Sequence, residues 1–147
     1  MKPKMKEAYM KTAETFAELS HARRLHVGAI IVKDDRIISI GYNGMPAGWD
    51  NNCEYEFTDP QTKIKSLVTR KEVLHAETNA IAKLARSGEH GLDSDLFVTH
   101  APCMDCAKLI YQTGIKRVWF RTAYRDDSGV RFLKDSGVQV EQIEKGQ

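Results

Sequence analysis

Met5, Ala8, Tyr9, Thr12, Ala13, Phe16, Ala17 and Leu19 recur at helical spacing, which predicts an amphipathic helix over residues 4–20. The period then shortens. Residues 27–33 and 36–42 are two β-rich runs divided by Asp34-Asp35, the pattern of a hairpin. From residue 43 to about residue 70 no period holds. Asn43-Gly44, Pro46, Gly48, Asn51-Asn52 and Asp59-Pro60 are turn chemistry, so this stretch reads as an irregular insert. An insert of that length inside a compact domain is usually functional, which makes it the first place to look for specificity.

Regular alternation follows. The pattern predicts a helix over residues 75–87, a strand over 96–100 and a helix over 103–113 stopped by Gly114. A strand over 116–122, a helix over 127–135 stopped by Gly137 and a strand over 138–143 complete the chain. A hairpin followed by alternating helices and strands implies a mixed sheet with helices on its faces, an α/β sandwich. The length of 147 residues, without repeats or Gly/Ser-rich linkers, is that of a single domain over 1–147.

Composition narrows the function. With 22 Lys and Arg against 20 Asp and Glu, the net charge of +2 lacks the basic footprint of a dedicated nucleic-acid binder. The longest apolar run, residues 29–32, is far short of a membrane span, and the N-terminal lysines are followed by no signal-peptide core. Three cysteines, two of them three positions apart, make no disulfide framework. A reducing cytoplasm is therefore the expected compartment, and clustered Cys and His should be read as metal or redox chemistry.

Two short patterns carry that chemistry: His75-Ala76-Glu77 and Pro102-Cys103-Met104-Asp105-Cys106. A Cys-x-x-Cys pair at a helix start suits either a redox disulfide or a metal, because the helix dipole stabilises thiolate. The redox reading gives His75 and Glu77 no part to play. The metal reading uses all four residues if the two helix starts lie at one edge of the sheet. Two Cys and one His are three protein ligands for zinc, with the fourth tetrahedral position left for water. Zinc lowers the pKa of such a water from about 15.7 towards about 7, and a nearby carboxylate can take its proton. In a regular helix Glu77 would point about 200° away from His75, so it reads as a proton shuttle and not as a ligand.

These motifs resemble the signature of the zinc-dependent cytidine and nucleotide deaminases. Gly41-Tyr42-Asn43-Gly44-Met45-Pro46-Ala47-Gly48 after the first strand is similar to the deoxycytidylate deaminases in particular. So are residues 75–81 and 106–110, and the resemblance runs over about residues 5–143. It implies hydrolysis of dCMP to dUMP and ammonia on a three-layer α/β/α sandwich with a mixed five-stranded sheet. It also implies a homohexamer, activated by dCTP and inhibited by dTTP, with Mg2+ on the triphosphate.

Carried onto this chain, the resemblance makes His75, Cys103 and Cys106 the zinc ligands and Glu77 the group that moves protons between water, the cytosine N3 and the leaving amine. The Ala76 backbone would hold the base edge and Asn43 the sugar, although Asn43-Gly44 is also a favoured turn pair. Tyr124 and Arg125 would contact the 5′-phosphate, with His26 and Arg24 as further contacts; the bland reading of Arg125 is pairing within its own charged run. Cys53, His90 and His21 would supply a second, structural zinc, against the plainer reading of Cys53 as a buried hydrophobe. His100 would orient a metal ligand or simply end its strand.

Regulation would fall to the insert. Gly44, Trp49, Asp50, Asn51 and Glu54 would read an effector base, whereas Trp49, Tyr55 and Phe57 would otherwise anchor the loop or a subunit contact. The competing functions are a tRNA adenosine deaminase, a free-nucleoside cytidine deaminase and a non-catalytic zinc-stabilised nucleotide sensor. The low net charge argues against the first, Arg125 against the second and Glu77 against the third.

Overall fold

The computed structural model describes residues 1–145; positions 146–147 of the expected domain lie outside the described residues. Eleven elements follow one another: α1 (Pro3–Ala17), β1 (Gly28–Lys33), β2 (Arg36–Tyr42), β3 (Glu54–Thr58), β4 (Lys65–Thr69), α2 (Ala76–Ala85), β5 (Asp95–His100), α3 (Met104–Thr113), β6 (Arg117–Thr122), α4 (Ser128–Asp135) and β7 (Gln139–Gln142). Five strands form one mixed sheet in the order β2-β1-β5-β6-β7, antiparallel from β2 to β5 and parallel from β5 to β7.

Strand side chains alternate between the two faces, and the alternation divides the core in two. Ala29, Ile31, Leu96, Val98, Val118 and Phe120 point to the face covered by α2, α3 and α4. Ile30, Val32, Phe97 and Trp119 point to the other face, where Tyr9, Met10 and Ala13 of α1 cover them. Phe97 is completely buried and stacks on Trp119, with ring centroids 5.9 Å apart. The result is the expected three-layer α/β/α sandwich with a mixed five-stranded sheet.

One expectation fails. The insert from 43 to 70 is not irregular throughout: β3 and β4 pair antiparallel within it, from Glu54 opposite Thr69 to Thr58 opposite Lys65. Its hydrophobic signal is inverted, because Tyr55 and Phe57 face solvent while Glu54 is buried. A reading based on apolar burial therefore passes over it.

The sheet also explains where a site must form. Because β1 runs antiparallel to β5, the start of β1 lies beside the end of β5, with Ala29 opposite Val98. The end of β2 lies there too, since Tyr42 pairs with Gly28. Ala101 just past β5 donates its amide to Thr122 at the end of β6. Val27, Asn43, His100 and the loop after β6 are thus gathered at one sheet edge. Among the described residues, no helix is long and apolar enough to cross a membrane.

Candidate active site

At that edge α2 and α3 both begin, and each has as its cap a residue that could hold a metal. His75 (φ −71°, ψ 157°) and Cys103 (φ −74°, ψ 172°) are extended residues just outside their helices. The angular objection to His75 and Glu77 acting together therefore disappears, because only Glu77 belongs to the helix. Close backbone packing holds both starts in place. A Cβ on Gly129 of α4 would meet the Pro102 carbonyl oxygen and come within 2.7 Å of the Cys103 carbonyl carbon. A Cβ on Gly41 of β2 would collide with the Ala76 carbonyl. Only glycine permits either approach.

His75 Nδ1 stands 3.3 Å from Cys106 Sγ and 3.6 Å from Cys103 Sγ. Two ligands of one tetrahedral zinc, at about 2.0–2.1 Å for nitrogen and about 2.3 Å for sulfur, lie about 3.5 Å apart, so the three donors fit that ion. All three atoms lie within 4.8 Å of one another, and this is the one such group among the described residues. Thr78, which the sequence reading missed, places its hydroxyl 3.5 Å from Cys106 Sγ. Its position one turn above the His75 cap was the available signal.

The electrostatics shift each of these groups from its ordinary value. Hydrogen bonding from Cys106 first, and then His75, lowers the Cys103 thiol to about 4, while its partner Cys106 is held well above the usual thiol range. Burial pushes the Glu77 carboxyl up to about 7, against the lowering effects of its own backbone amide and of His75. A carboxyl poised near neutrality both accepts and returns a proton, which is the property of an acid–base catalyst.

These groups open into a cavity of about 550 Å³ lined by His75, Ala76, Glu77 and Cys103, and also by Asn43, Arg24, Tyr124 and His100. Ala76 and Glu77 are buried, His75 is accessible and Cys103 half-buried, and Arg24 and Tyr124 are exposed, so the carboxylate lies deep and the cation lies at the mouth. Asn43 also ties two backbone segments together. Its Oδ1 accepts from the Val27 amide at 2.9 Å and its Nδ2 donates to Leu25 O at 2.8 Å. His26 is turned to Ala22 O, 2.6 Å from Nε2, and does not line the cavity. Arg125, exposed beside Tyr124, does not line it either. His100 pairs through Nδ1 with Thr99 Oγ1 at 2.9 Å, and burial lowers its pKa.

The second metal set does not assemble among the described residues. His90 lies 3.1 Å from Lys33 Nζ at the far end of β1, whereas Cys53 is buried in the cavity wall and its thiol faces Asn51 O. Three of the five residues expected to read an effector are also engaged. Gly44 bridges Leu74 through its backbone, and Asp50 holds Arg70 at 3.1 Å and the Asn52 amide at 2.9 Å. Glu54 is buried, its carboxylate committed to backbone amides. Trp49 and Asn51 remain exposed.

Three converging sulfur and imidazole donors beside a buried carboxylate, at the starts of two helices on an α/β/α sheet, are a donor set that a hydrolytic metal centre could use. A family model, the cytidine and deoxycytidylate deaminase zinc-binding region, matches residues 3–122, and the chain belongs to that family. ComE operon protein 2 of Bacillus subtilis is 36% identical over 141 residues, covering 92% of this chain and 69% of the relative. The deoxycytidylate deaminase of Enterobacteria phage T4 is 33% identical over 157 residues, 81% of this chain and 79% of its own. The crystal structure of dCMP deaminase from the cyanophage S-TIM5, in complex with dCMP and dUMP, superposes with a TM-score of 0.86. It is 45% identical and covers 97% of this chain and 99% of that one.

Proposed function

We propose that this chain is a dCMP deaminase, converting dCMP and water to dUMP and ammonia as a single domain over 1–147. The observation that carries the reading is the buried Glu77 beside the His75, Cys103 and Cys106 donors, opening into a nucleotide-sized cavity. His75, Cys103 and Cys106 would hold zinc, which would supply the Lewis acidity that makes water a nucleophile near neutral pH. Glu77 takes one proton from the attacking water and delivers it to the cytosine N3, then takes the proton left on the new C4 hydroxyl and passes it to the C4 amine, so that ammonia leaves as the C4 carbonyl forms. The Ala76 backbone holds the base edge. Asn43 faces the sugar from the position in which Val27 and Leu25 fix it.

The 5′-phosphate falls to the cavity mouth. Arg24 and Tyr124 line it there, and Arg125 follows on the same loop. A guanidinium suits a phosphate because its planar fork donates two hydrogen bonds at once. That cation separates a nucleotide enzyme from a free-nucleoside deaminase. The charge of +2 is low for a tRNA-binding deaminase, and a pure sensor would have no use for a proton shuttle.

The reading extends to a cytoplasmic homohexamer regulated by dCTP as activator and dTTP as inhibitor, each with Mg2+, through the segment from Gly44 to Glu54. The test is loss of ultraviolet absorbance with dCMP, deoxycytidine and CMP side by side on the zinc-loaded chain. Preference for dCMP is expected; equal rates on dCMP and deoxycytidine would remove the phosphate from the reading. Saturation curves for dCMP alone, with dCTP and with dTTP test regulation, and three superimposable hyperbolas would remove it.

A further inference from the structure

The hairpin β3–β4 lies beside residues 21–26, a stretch without regular structure that carries Arg24 to the cavity mouth. Its contacts converge on two residues. Glu54 Oε2 accepts from the backbone amides of both Arg23 and Arg24, each at 2.9 Å. Glu54 Oε1 stands 3.4 Å from Arg23 Nε, and the Arg23 guanidinium also donates to Glu54 O at 3.0 Å and to Asn52 Oδ1 at 3.2 Å. Arg24 itself donates from its guanidinium to Thr69 Oγ1 at 3.1 Å. Glu54 and Thr69 are opposite one another in the hairpin.

A carboxylate that is 1% exposed is costly unless its oxygens are satisfied, and here successive amides of one loop satisfy it. Two adjacent N–H groups aimed at a single oxygen define the backbone direction on both sides of Arg24. The Thr69 hydroxyl then restricts the side chain that leaves that backbone. We infer that Glu54 and Thr69 are positioning residues that preorganise Arg24 to receive the 5′-phosphate of the nucleotide. The hairpin is thus a brace for specificity. This inference rests on the placing of the 5′-phosphate at the cavity mouth.

A preorganised cation contributes to affinity by avoiding the ordering that binding would otherwise require. Removing the brace should weaken phosphate-bearing ligands selectively while the deep chemistry continues. The zinc-loaded chain and its variants are compared for dCMP kinetics and for competition by dUMP and by deoxyuridine. Glu54→Gln is expected to raise KM for dCMP about tenfold while kcat falls no more than about twofold. The same change should weaken dUMP about tenfold more than deoxyuridine. Thr69→Val should shift dCMP KM in the same sense by about threefold. Placed on Arg24→Ala, Glu54→Gln should add less than about twofold, since the braced group is already gone.

Equal losses for dUMP and deoxyuridine, or full additivity on Arg24→Ala, overturn the inference. Thr69 is exposed on β4, so Thr69→Val provides a folded variant if Glu54→Gln does not fold. A wild-type KM in Thr69→Val would then overturn the inference by itself. A chain that binds dUMP but does not deaminate dCMP overturns the proposed reaction, and the dUMP affinities of the variants still decide the brace. A chain that binds dUMP no better than deoxyuridine overturns the phosphate reading and the brace together.

Discussion

Glu77 and Cys103 show how far one environment can move two groups in opposite directions. Burial raises the Glu77 carboxyl to about 7, and the hydrogen bonds from Cys106 and His75 lower the Cys103 thiol to about 4. One residue is suited to exchange protons, the other to carry a negative charge. Glu77→Gln should therefore keep zinc and lose about 10²-fold or more in kcat, read from metal content and dCMP turnover on the same sample. Cys106→Ser should lose both, because two remaining donors hold the ion poorly. A Glu77→Gln protein with near-normal turnover would refute the assigned role. The His/Glu/Cys pattern was legible from spacing alone. Thr78 and Arg24 were harder to weigh, because a hydroxyl near sulfur and a cation at a cavity mouth acquire meaning only through neighbours distant in the chain.

Elements reach the site through two close approaches. Gly129 brings α4 onto the Pro102–Cys103 turn, and Gly41 brings β2 onto the start of α2. Gly129→Ala should cost about 1–3 kcal/mol of stability, since the added methyl meets backbone that has nowhere to retreat. It should also weaken zinc, because Cys103 must shift. Denaturant titration and competition with a chromophoric chelator check the two effects on one protein. Stability loss without any loss of zinc affinity would show that Cys103 is held by other contacts. At this scale the sequence reading placed every strand of the main sheet and missed β3–β4. Its error followed from a sound rule applied to an inverted case: in Glu54-Tyr55-Glu56-Phe57 the aromatic residues are outside and a carboxylate is inside.

Across the whole molecule, α1 is tied to the far side of the sheet by charge as well as by Tyr9 and Met10. Buried Arg121 of β6 contacts Glu7 at 2.8 Å and Glu14 at 2.9 Å, both on α1, and donates to the carbonyls of Ile143 and Glu144. Hydrogen bonding to Arg121 holds the Glu7 carboxyl below its ordinary value of 4.5. A depressed folded-state pKa contributes stability that is complete above the ordinary value and is lost as pH falls through the folded one. Glu7→Gln should therefore cost about 1 kcal/mol or less at pH 7, since the carboxylate is about one-third exposed, and the difference should vanish in acid. Urea unfolding of both proteins at neutral and acid pH measures it. A difference that persists undiminished in acid would mean the contact is steric and not ionic.

What the sequence determined by itself is local and periodic. The switch from helical to alternating spacing set the elements, and His75-Ala76-Glu77 with Cys103-Met104-Asp105-Cys106 set the chemistry, because ligand identity and spacing are properties of short segments. The tertiary structure decided what depends on the meeting of distant segments. It placed the starts of β1, α2 and α3 at one sheet edge through strand direction. It turned Glu54 inward, directed His26 to the Ala22 carbonyl and kept His90 away from Cys53. It set Arg24 at the cavity mouth under the grip of a hairpin some thirty residues further on. Such contacts leave no period in the chain, since each is fixed by packing geometry and by the need of buried polar groups to find partners.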